Sequence, residues 1–249
     1  MNGKTVVIFS LLFAIVLKCA LAYYFFQFET DKSFQAIAAK SIVQGKGLTI
    51  PQVHANDLSI VHYEPLVGWP PGYTLFVTPV YALLNDLQTA CLMVDLFFII
   101  SFFILLAALL KELNFPSWLT AVLLLFNGAT ISDNIFLSTP SDLPAVVFAV
   151  LACFMAVKLY QKNNISKPAI LLLAIINFIP ALLRFMYVPV VFMIPFFFFW
   201  IGMKENDFIK KRAGLWLLAI TGLFFIFLFL FLHSKTATVF YSAAAPTHT

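Results

Sequence analysis

Most of the chain consists of long apolar runs separated by short polar turns, and this pattern predicts helices. The runs cover residues 5–26, 88–110, 117–136, 142–160, 168–183, 188–203 and 213–232. At about 1.5 Å per residue, the first run reaches roughly 33 Å, enough to cross a hydrocarbon core of about 30 Å. Because the runs lack the alternation of barrel strands, we expect an all-α, polytopic membrane protein with about seven transmembrane helices.

One long polar segment, residues 29–73, interrupts this pattern. Its first part has apolar residues at helical spacing before Gly45 and Gly47, which predicts an amphipathic helix over residues 31–44 that lies on the membrane. A second apolar stretch, residues 71–85, is too short to span comfortably and has aromatic residues at its ends. We therefore expect a first extracytoplasmic loop over residues 27–87 that carries two juxtamembrane helices.

The composition supports a membrane protein and argues against a nucleic-acid partner. Hydrophobic residues make up 62% of the chain and charged residues 10%, and the mean hydropathy of +0.98 lies far outside the soluble range. The net charge of +4 comes mostly from Lys and Arg in short turns, where they set the orientation of the protein in the membrane, so we expect no nucleic-acid partner.

The three cysteines lie inside apolar runs without CxxC spacing, which argues against a disulfide framework or a zinc site. No linker divides the chain, which predicts one transmembrane domain over residues 1–249.

The N-terminal run has two interpretations. Lys4, the apolar run and the sequence Ala20-Leu21-Ala22 imitate a secretory signal with its cleavage site. The residues that follow, 23–26, are all aromatic and continue the run past that point. This continuation favours an uncleaved first span, and cleavage is the alternative.

The distribution of basic residues predicts the topology. If residues 71–85 do not cross the membrane, nine of the fifteen Lys and Arg residues fall on one side, namely Lys4, Lys111, Lys158, Lys162, Lys167, Lys204, Lys210, Lys211 and Arg212. The positive-inside rule then places the N-terminus and these residues in the cytoplasm. The same rule places the long loop, Asp142 and Arg184 together on the extracytoplasmic face.

Three charged residues on that face are candidates for chemistry, and each has an ordinary alternative. Asp31 opens the amphipathic helix, so it is either a cap at the positive end of the helix dipole or a general base. Asp142 starts a span, where it either caps the helix or faces water in a cavity. Arg184 lies in a tight turn, where it either reaches for the interface or clamps a lipid phosphate with its guanidinium fork.

The second half of the long loop holds a looser polar set that includes His62, Tyr63 and Glu64. Its spacing matches no metal motif, which favours a solvated loop surface, with Tyr63 and Glu64 as candidate substrate contacts. Lys46 lies between two glycines and is either a solvated lysine or a phosphate contact.

The order of these features resembles the N-terminal half of the GT-C-fold glycosyltransferases. One span is followed by Asp31-x3-Gln35-Ala36, then Gly45-Lys46-Gly47-Leu48, then Trp69-Pro70-Pro71-Gly72-Tyr73, and a second Asp stands at a later outer turn. The group includes the protein O-mannosyltransferases and the lipid A aminoarabinose transferase, as in glycosyltransferase family 39. The likeness covers most of the chain in layout, but its specific motifs are few and short.

The resemblance implies an enzyme that takes a sugar from a polyprenyl phosphate donor and passes it, with inversion, to a glycan, lipid or protein acceptor at the outer face of the bacterial inner membrane. It implies that Asp31 orients or deprotonates the acceptor, that Asp142 assists or joins Asp31 in holding a divalent cation, and that Arg184 lies near the carrier phosphate. Trp69 stands where some relatives have a phosphate-binding Lys. The family usually has further spans, so we expect the chain to lack its C-terminal part.

Two other classes stay open. A transporter or permease would place charged residues within its spans, and Lys18 and Asp95 lie well inside apolar runs. A non-catalytic membrane scaffold would use the outer loop only to present a surface to a partner.

Overall fold

The computed structural model describes residues 2–28, 30–54, 57–66, 70–130, 142–162 and 165–244. Within these ranges the chain forms nine α-helices, one short 3-10 helix at Phe185–Tyr187 and one β-hairpin. The helices are α1 (Gly3–Tyr24), α2 (Thr30–Val43), α3 (Gly72–Leu84), α4 (Leu87–Glu112), α5 (Ser117–Ala129), α6 (Asp142–Tyr160), α7 (Lys167–Leu183), α8 (Val188–Lys204) and α9 (Phe208–Ala244).

Five segments are long and apolar enough to cross a membrane: α1, α4, α6, the 3-10 helix continued by α8, and residues Phe208–Leu230 of α9. Three further apolar helices, α3, α5 and α7, are shorter. The prediction of a mainly helical protein is therefore confirmed, and the described residues include five helical segments that could cross a membrane. The predicted run over residues 117–136 becomes helix α5 up to Ala129, and its remainder from 131 onward lies outside the described residues.

The expected all-α architecture needs one correction, because the long loop contains an antiparallel β-hairpin. Strand β1 (Thr49–His54) pairs with β2 (Asp57–Pro65) in a register that sets Ile50 opposite Glu64. Both strands contain β-branched residues, which favour the pleated conformation. Polar residues lie beside these β-branched residues, so a hydropathy profile does not reveal the strands. Ile50 is buried against α2, so the hairpin lies on that helix.

Helix ends in the described bundle are set by short polar side chains. Asn85, Asn114 and Asn206 have positive φ angles of 54°, 56° and 52°, a left-handed conformation that asparagine tolerates better than most residues. Asp86 caps α4 by accepting a hydrogen bond from the backbone N–H of Thr89 at 3.1 Å. Hydrogen bonds from Thr89 lower the pKa of Asp86, so this cap stays ionised at neutral pH.

Small residues let two helix pairs approach closely. A Cβ atom on Gly128 would lie 2.9 Å from Cα of Ala14, and one on Gly3 would lie 2.9 Å from the Ser117 hydroxyl, so α1 and α5 run side by side in the same direction. In α8, a Cβ atom on Gly202 would overlap the backbone nitrogen of Lys211 in α9. Close contact of this kind strengthens van der Waals packing where lipid removes the hydrophobic drive between helices.

The bundle has two chemically different ends. At one end, Lys4 and Lys111 line a common cavity, and Lys158 lies 3.6 Å from Glu112. We call this the basic end. Helix α1 begins at the basic end and α4 ends there, so the segment between them starts and finishes at the opposite end. This is what we expect if α3 does not cross the membrane. The opposite end, here the loop end, carries α2, the hairpin and Asp142.

Labelling of single cysteines tests this arrangement. In a variant without the native cysteines, we expect a membrane-impermeant maleimide added outside cells to label Ser59→Cys on the hairpin. It should not label Gln161→Cys at the basic end until the membrane is permeabilised. Both side chains are exposed, so a difference reports the side of the membrane. Labelling of Gln161→Cys in intact cells would contradict the arrangement.

Glycine substitutions test the close contact between α8 and α9. Gly202→Ala places a methyl group onto the backbone of α9, and overpacking of this kind typically costs about 1 to 3 kcal/mol. Gly222→Ala is the matched control, because a Cβ atom at Gly222 meets nothing within 4 Å. Thermal unfolding in detergent should show a lower midpoint for Gly202→Ala alone. Equal midpoints would show that the two helices separate without cost.

Candidate functional site

Asp142 and Arg184 form an ion pair at the loop end. Nε of Arg184 lies 2.8 Å from Oδ1 of Asp142, and the Asp142 side chain is 9% exposed. Asp142 begins α6 and Arg184 follows the last residue of α7, so two separate helix ends bring the charges together. The sequence predicted that both residues share a face, and the structure shows that they are in direct contact.

A second ion pair joins helix α2 to helix α4. Nζ of Lys32 lies 2.8 Å from Oδ2 of Asp95, and the hydroxyl of Tyr73 donates a hydrogen bond of 2.9 Å to the other carboxylate oxygen. The exposed fractions of Lys32, Asp95 and Tyr73 are 1%, 7% and 0%. Burial, and next the Asp95 carboxylate, raise the pKa of Tyr73, so the phenol stays protonated and remains a donor.

The two ion pairs lie at the same depth in the bundle. Helices α4 and α6 run side by side in the same direction, because the Phe98 and Phe148 rings are 6.2 Å apart and Glu112 pairs with Lys158. These contacts join residues 50 and 46 positions apart in sequence. By the same offset, Asp95 lies level with residues 142–145, the first turn of α6.

The first turn of α3 lies between the two ion pairs. Tyr73 reaches Asp95, while a Cβ atom on the adjacent Gly72 would lie 2.6 Å from the Leu183 side chain, one residue before Arg184. Thr74 donates a hydrogen bond of 3.1 Å to the backbone carbonyl of Gln35 in α2. A larger residue at position 72 would require the Leu183 side chain to shift, so Gly72 favours the close approach of α3 to α7.

An apolar groove of about 440 Å³ opens beside this level. It begins at Pro71 and Gly72, runs between α3 and α7, and continues along α9 past Phe224 and Leu228. Its walls include Leu75 and Phe227, whose side chains are 58% and 72% exposed on the lateral surface of the bundle. The groove is therefore apolar along its length, and Leu183, the residue that precedes Arg184, is one of its lining residues.

Asp31 lies in the first turn of α2 and is half-buried. It forms no hydrogen bond or ion pair with another described residue, in contrast to Lys32, the next residue along the chain. The pairing of Lys32 with Asp95 anchors the first turn of α2 against α4, and thereby fixes the place from which Asp31 projects.

The remaining sequence candidates lie elsewhere. Nζ of Lys46 donates a hydrogen bond to the Tyr63 hydroxyl and stands 4.1 Å from the centre of that ring. Glu64 instead contacts His62 at 3.0 Å, on the opposite face of β2. Lys46 follows the C-terminal end of α2, which is about 18 Å along the helix from Asp31. The structure thus joins Lys46 to Tyr63 but does not bring these candidates to Asp31.

A divalent cation fits this site poorly. No group of three or more His, Cys, Asp or Glu side chains with metal-binding geometry occurs among the described residues. Carboxylate oxygens suit hard cations, but Asp142 already forms an ion pair with Arg184, and Asp31 is on a different helix. The role of the two aspartates as metal ligands stays a prediction.

The sequence analysis missed the pairing of Lys32, Tyr73 and Asp95. The sequence pattern placed Tyr73 in a motif of the long loop and Asp95 within an apolar run, as a transporter would have it, and it did not single out Lys32. The available signal was an acidic residue inside an apolar run, because such a residue needs a partner at similar depth. Several lysines satisfied that condition, and only the packing of α2 selects Lys32.

Comparisons with protein-family models, curated proteins and solved structures found no match to this chain. The fold and composition show a mostly helical protein whose described residues include five helical segments suited to crossing a membrane, as in an integral membrane protein.

Substitution of Lys32 tests the buried ion pair. Lys32→Met leaves the Asp95 carboxylate without its cation, and loss of one partner of a buried pair typically costs about 3 to 5 kcal/mol. Lys40→Met on the exposed side of α2 should change stability by less than about 0.5 kcal/mol. Unfolding in detergent measures both. The double variant Lys32→Met with Asp95→Leu should recover part of the loss, and a double variant less stable than Lys32→Met would contradict the pairing.

Proposed function

We propose that this protein is a membrane glycosyltransferase that moves a sugar from a polyprenyl phosphate donor to an acceptor at the extracytoplasmic face, with inversion. The observation that supports this most is the position of Arg184. The Arg184 side chain is 30% exposed, and the residue that precedes it, Leu183, lines an apolar groove on the lateral surface of the bundle. A lipid phosphate has the same two parts in the same order, an anionic group at the interface and a long apolar chain below it.

The proposed donor pose follows from this match. The chain of the donor occupies the groove between α3 and α7, where exposed apolar walls replace lipid contacts at little cost. Its phosphate then lies at the level of the ion pairs, within reach of Arg184. An arginine fork binds phosphate oxygens through two parallel hydrogen bonds, which orients the sugar as well as holding the charge.

The reaction requires little further machinery. The acceptor hydroxyl attacks the anomeric carbon, the bond from that carbon to the phosphate oxygen breaks, and the phosphate leaves with the electron pair. Asp31 removes the proton from the attacking hydroxyl, because it projects from an anchored helix turn without a cation partner among the described residues. Attack from the face opposite the phosphate inverts the anomeric centre. A phosphate is a good leaving group, so charge stabilisation matters more than a dedicated acid.

Asp142 has a supporting part in this scheme. Its carboxylate holds Nε of Arg184 at 2.8 Å, which leaves the terminal guanidinium nitrogens to face the phosphate. The buried pair of Lys32 and Asp95 holds the base in place. The scheme therefore uses one base, one phosphate clamp and two positioning groups, and it routes no step through a metal.

The proposal includes a topology and a location. We propose about seven crossings, with α5 and α7 added to the five long helices, in a bacterial inner membrane with the basic end in the cytoplasm. Lys and Arg dominate the basic end, as the positive-inside rule requires. The chemistry then takes place at the loop end, where polyprenyl-linked sugars meet their acceptors.

A permease is the second candidate, since buried ionisable residues within spans often mark a transport path. Asp95 and Lys32 are the observation that favours it. Two features weigh against this reading. Asp95 lies only eight residues after Leu87, about 12 Å from the start of α4, and Lys18 donates to the Thr130 carbonyl at 2.9 Å. These charges thus serve local pairing near the loop end.

Transfer of labelled sugar from polyprenyl phosphate donors in proteoliposomes tests the proposal. We expect Asp31→Asn to lower transfer about 100-fold or more, because it removes the base. Arg184→Gln should lower it about as strongly, while Arg184→Lys keeps the charge and should be intermediate. Asp57→Asn is the matched control, since this exposed carboxylate on the hairpin accepts hydrogen bonds from Ser59 and from no other described side chain.

Folding and substrate choice need separate readouts. The melting midpoint of each variant in detergent shows whether a lost activity reflects a lost fold. Full transfer by Asp31→Asn would remove this residue as the base. Uptake of a labelled solute into proteoliposomes, with no release of polyprenyl phosphate from any donor, would favour the permease instead.

A further inference from the structure

We propose that the basic end carries a binding site for an anionic phospholipid, in the groove between the first turns of α7 and α9. Two adjoining cavities, of about 430 Å³ and 200 Å³, share Lys167, Ile170 and Trp216. The smaller cavity also contains Arg212, and the larger one continues along Leu171 and Ile220. Together they form one groove with a basic mouth and an apolar floor.

The charges of the groove have no acidic partner in the described part of the chain. The described carboxylates at this end are Glu112, Glu205 and Asp207, and they pair with Lys158 and Lys210. Asp207 also caps α9 by accepting hydrogen bonds from the backbone N–H groups of Ile209 and Lys210. The cations of Lys167 and Arg212 are thus left to face the groove in excess.

The nearby acids remain engaged at neutral pH. The hydrogen bond from Lys210 lowers the pKa of Glu205, and backbone hydrogen bonds lower the pKa of Asp207. Both carboxylates therefore keep their charge and their partner, and neither is available to neutralise Lys167 or Arg212. A ligand that supplies negative charge complements the groove.

The apolar part of the groove identifies the ligand as a lipid rather than a free anion. Trp216 and Leu171 are 47% and 48% exposed on the lateral surface, where an acyl chain would lie. A tryptophan at the edge of the apolar zone is suited to the glycerol level of a lipid, and basic residues between helices on the cytoplasmic side attract anionic headgroups. The geometry therefore fits a phosphatidylglycerol-like molecule, with its phosphate between Lys167 and Arg212.

Quenching of Trp216 by brominated lipid tests the site. In a full-length variant that keeps Trp216 but has Phe in place of Trp69, Trp118 and Trp200, brominated phosphatidylglycerol should quench more strongly than brominated phosphatidylcholine in mixed vesicles. Lys167→Gln with Arg212→Gln should lower this preference about tenfold or more, because each basic residue near the surface contributes to anionic-lipid binding. Both side chains are exposed, so the fold should survive, and the melting midpoint checks this.

Lys4→Gln with Lys111→Gln is the matched control. It removes two charges from the same end but at another cavity, and it should leave the preference seen by Trp216 unchanged. An equal loss in this control would show general attraction to a basic surface and would overturn the site. Equal quenching by both lipids in the unsubstituted groove would do so as well. Displacement of the lipid by inorganic phosphate, and not by chloride at the same ionic strength, would assign a free-anion site instead.

Discussion

A carboxylate placed inside an apolar bundle must be paired, and Asp95 imposes this requirement on the whole loop end. An isolated charge there would cost several kcal/mol, so α4 tolerates Asp95 only if other elements supply a cation and a donor. Lys32 and Tyr73 meet the need, and they come from the first turns of α2 and α3. The elements that contact this carboxylate are therefore α2 and α3, which also place Ala36, Ala39 and Val77 in the apolar core.

The remaining features of the loop end follow from that anchoring. With α2 fixed at Lys32, the hairpin packs on its far part through Ile50. With α3 fixed at Tyr73, its neighbour Gly72 meets Leu183, and the apolar groove lies between them. One buried pair thus sets the position of Asp31 on one side and of the groove on the other. A buried pair is a poor source of net stability compared with apolar packing, so its value here lies in fixing one arrangement.

Sequence patterns predicted those parts of the structure that depend on hydropathy and charge along the chain. The contact of Asp142 with Arg184 was foreseeable in outline, because counting basic residues put both at one face. The partner of Asp95 was not, since the choice among several lysines depends on how α2 packs in three dimensions. The hairpin was missed because its Val and Ile residues are interrupted by polar ones, and β-structure depends on pairing between segments. The groove forms between three helices, and their spacing cannot be predicted from a local sequence pattern.

The lengths of α4 and α6 explain how the two ion pairs can lie near the end of the apolar bundle. From Asp95 to Glu112, α4 rises about 26 Å, and α6 rises about 27 Å from Asp142 to Tyr160. Both distances approach the hydrocarbon thickness of about 30 Å, so the ion pairs lie at the outer boundary of the apolar zone and not at its centre. The part of α4 above this level, Leu87 to Val94, packs with α3. On the proposed function, a lipid phosphate at the same boundary would meet Arg184 without any charge having to enter the hydrocarbon.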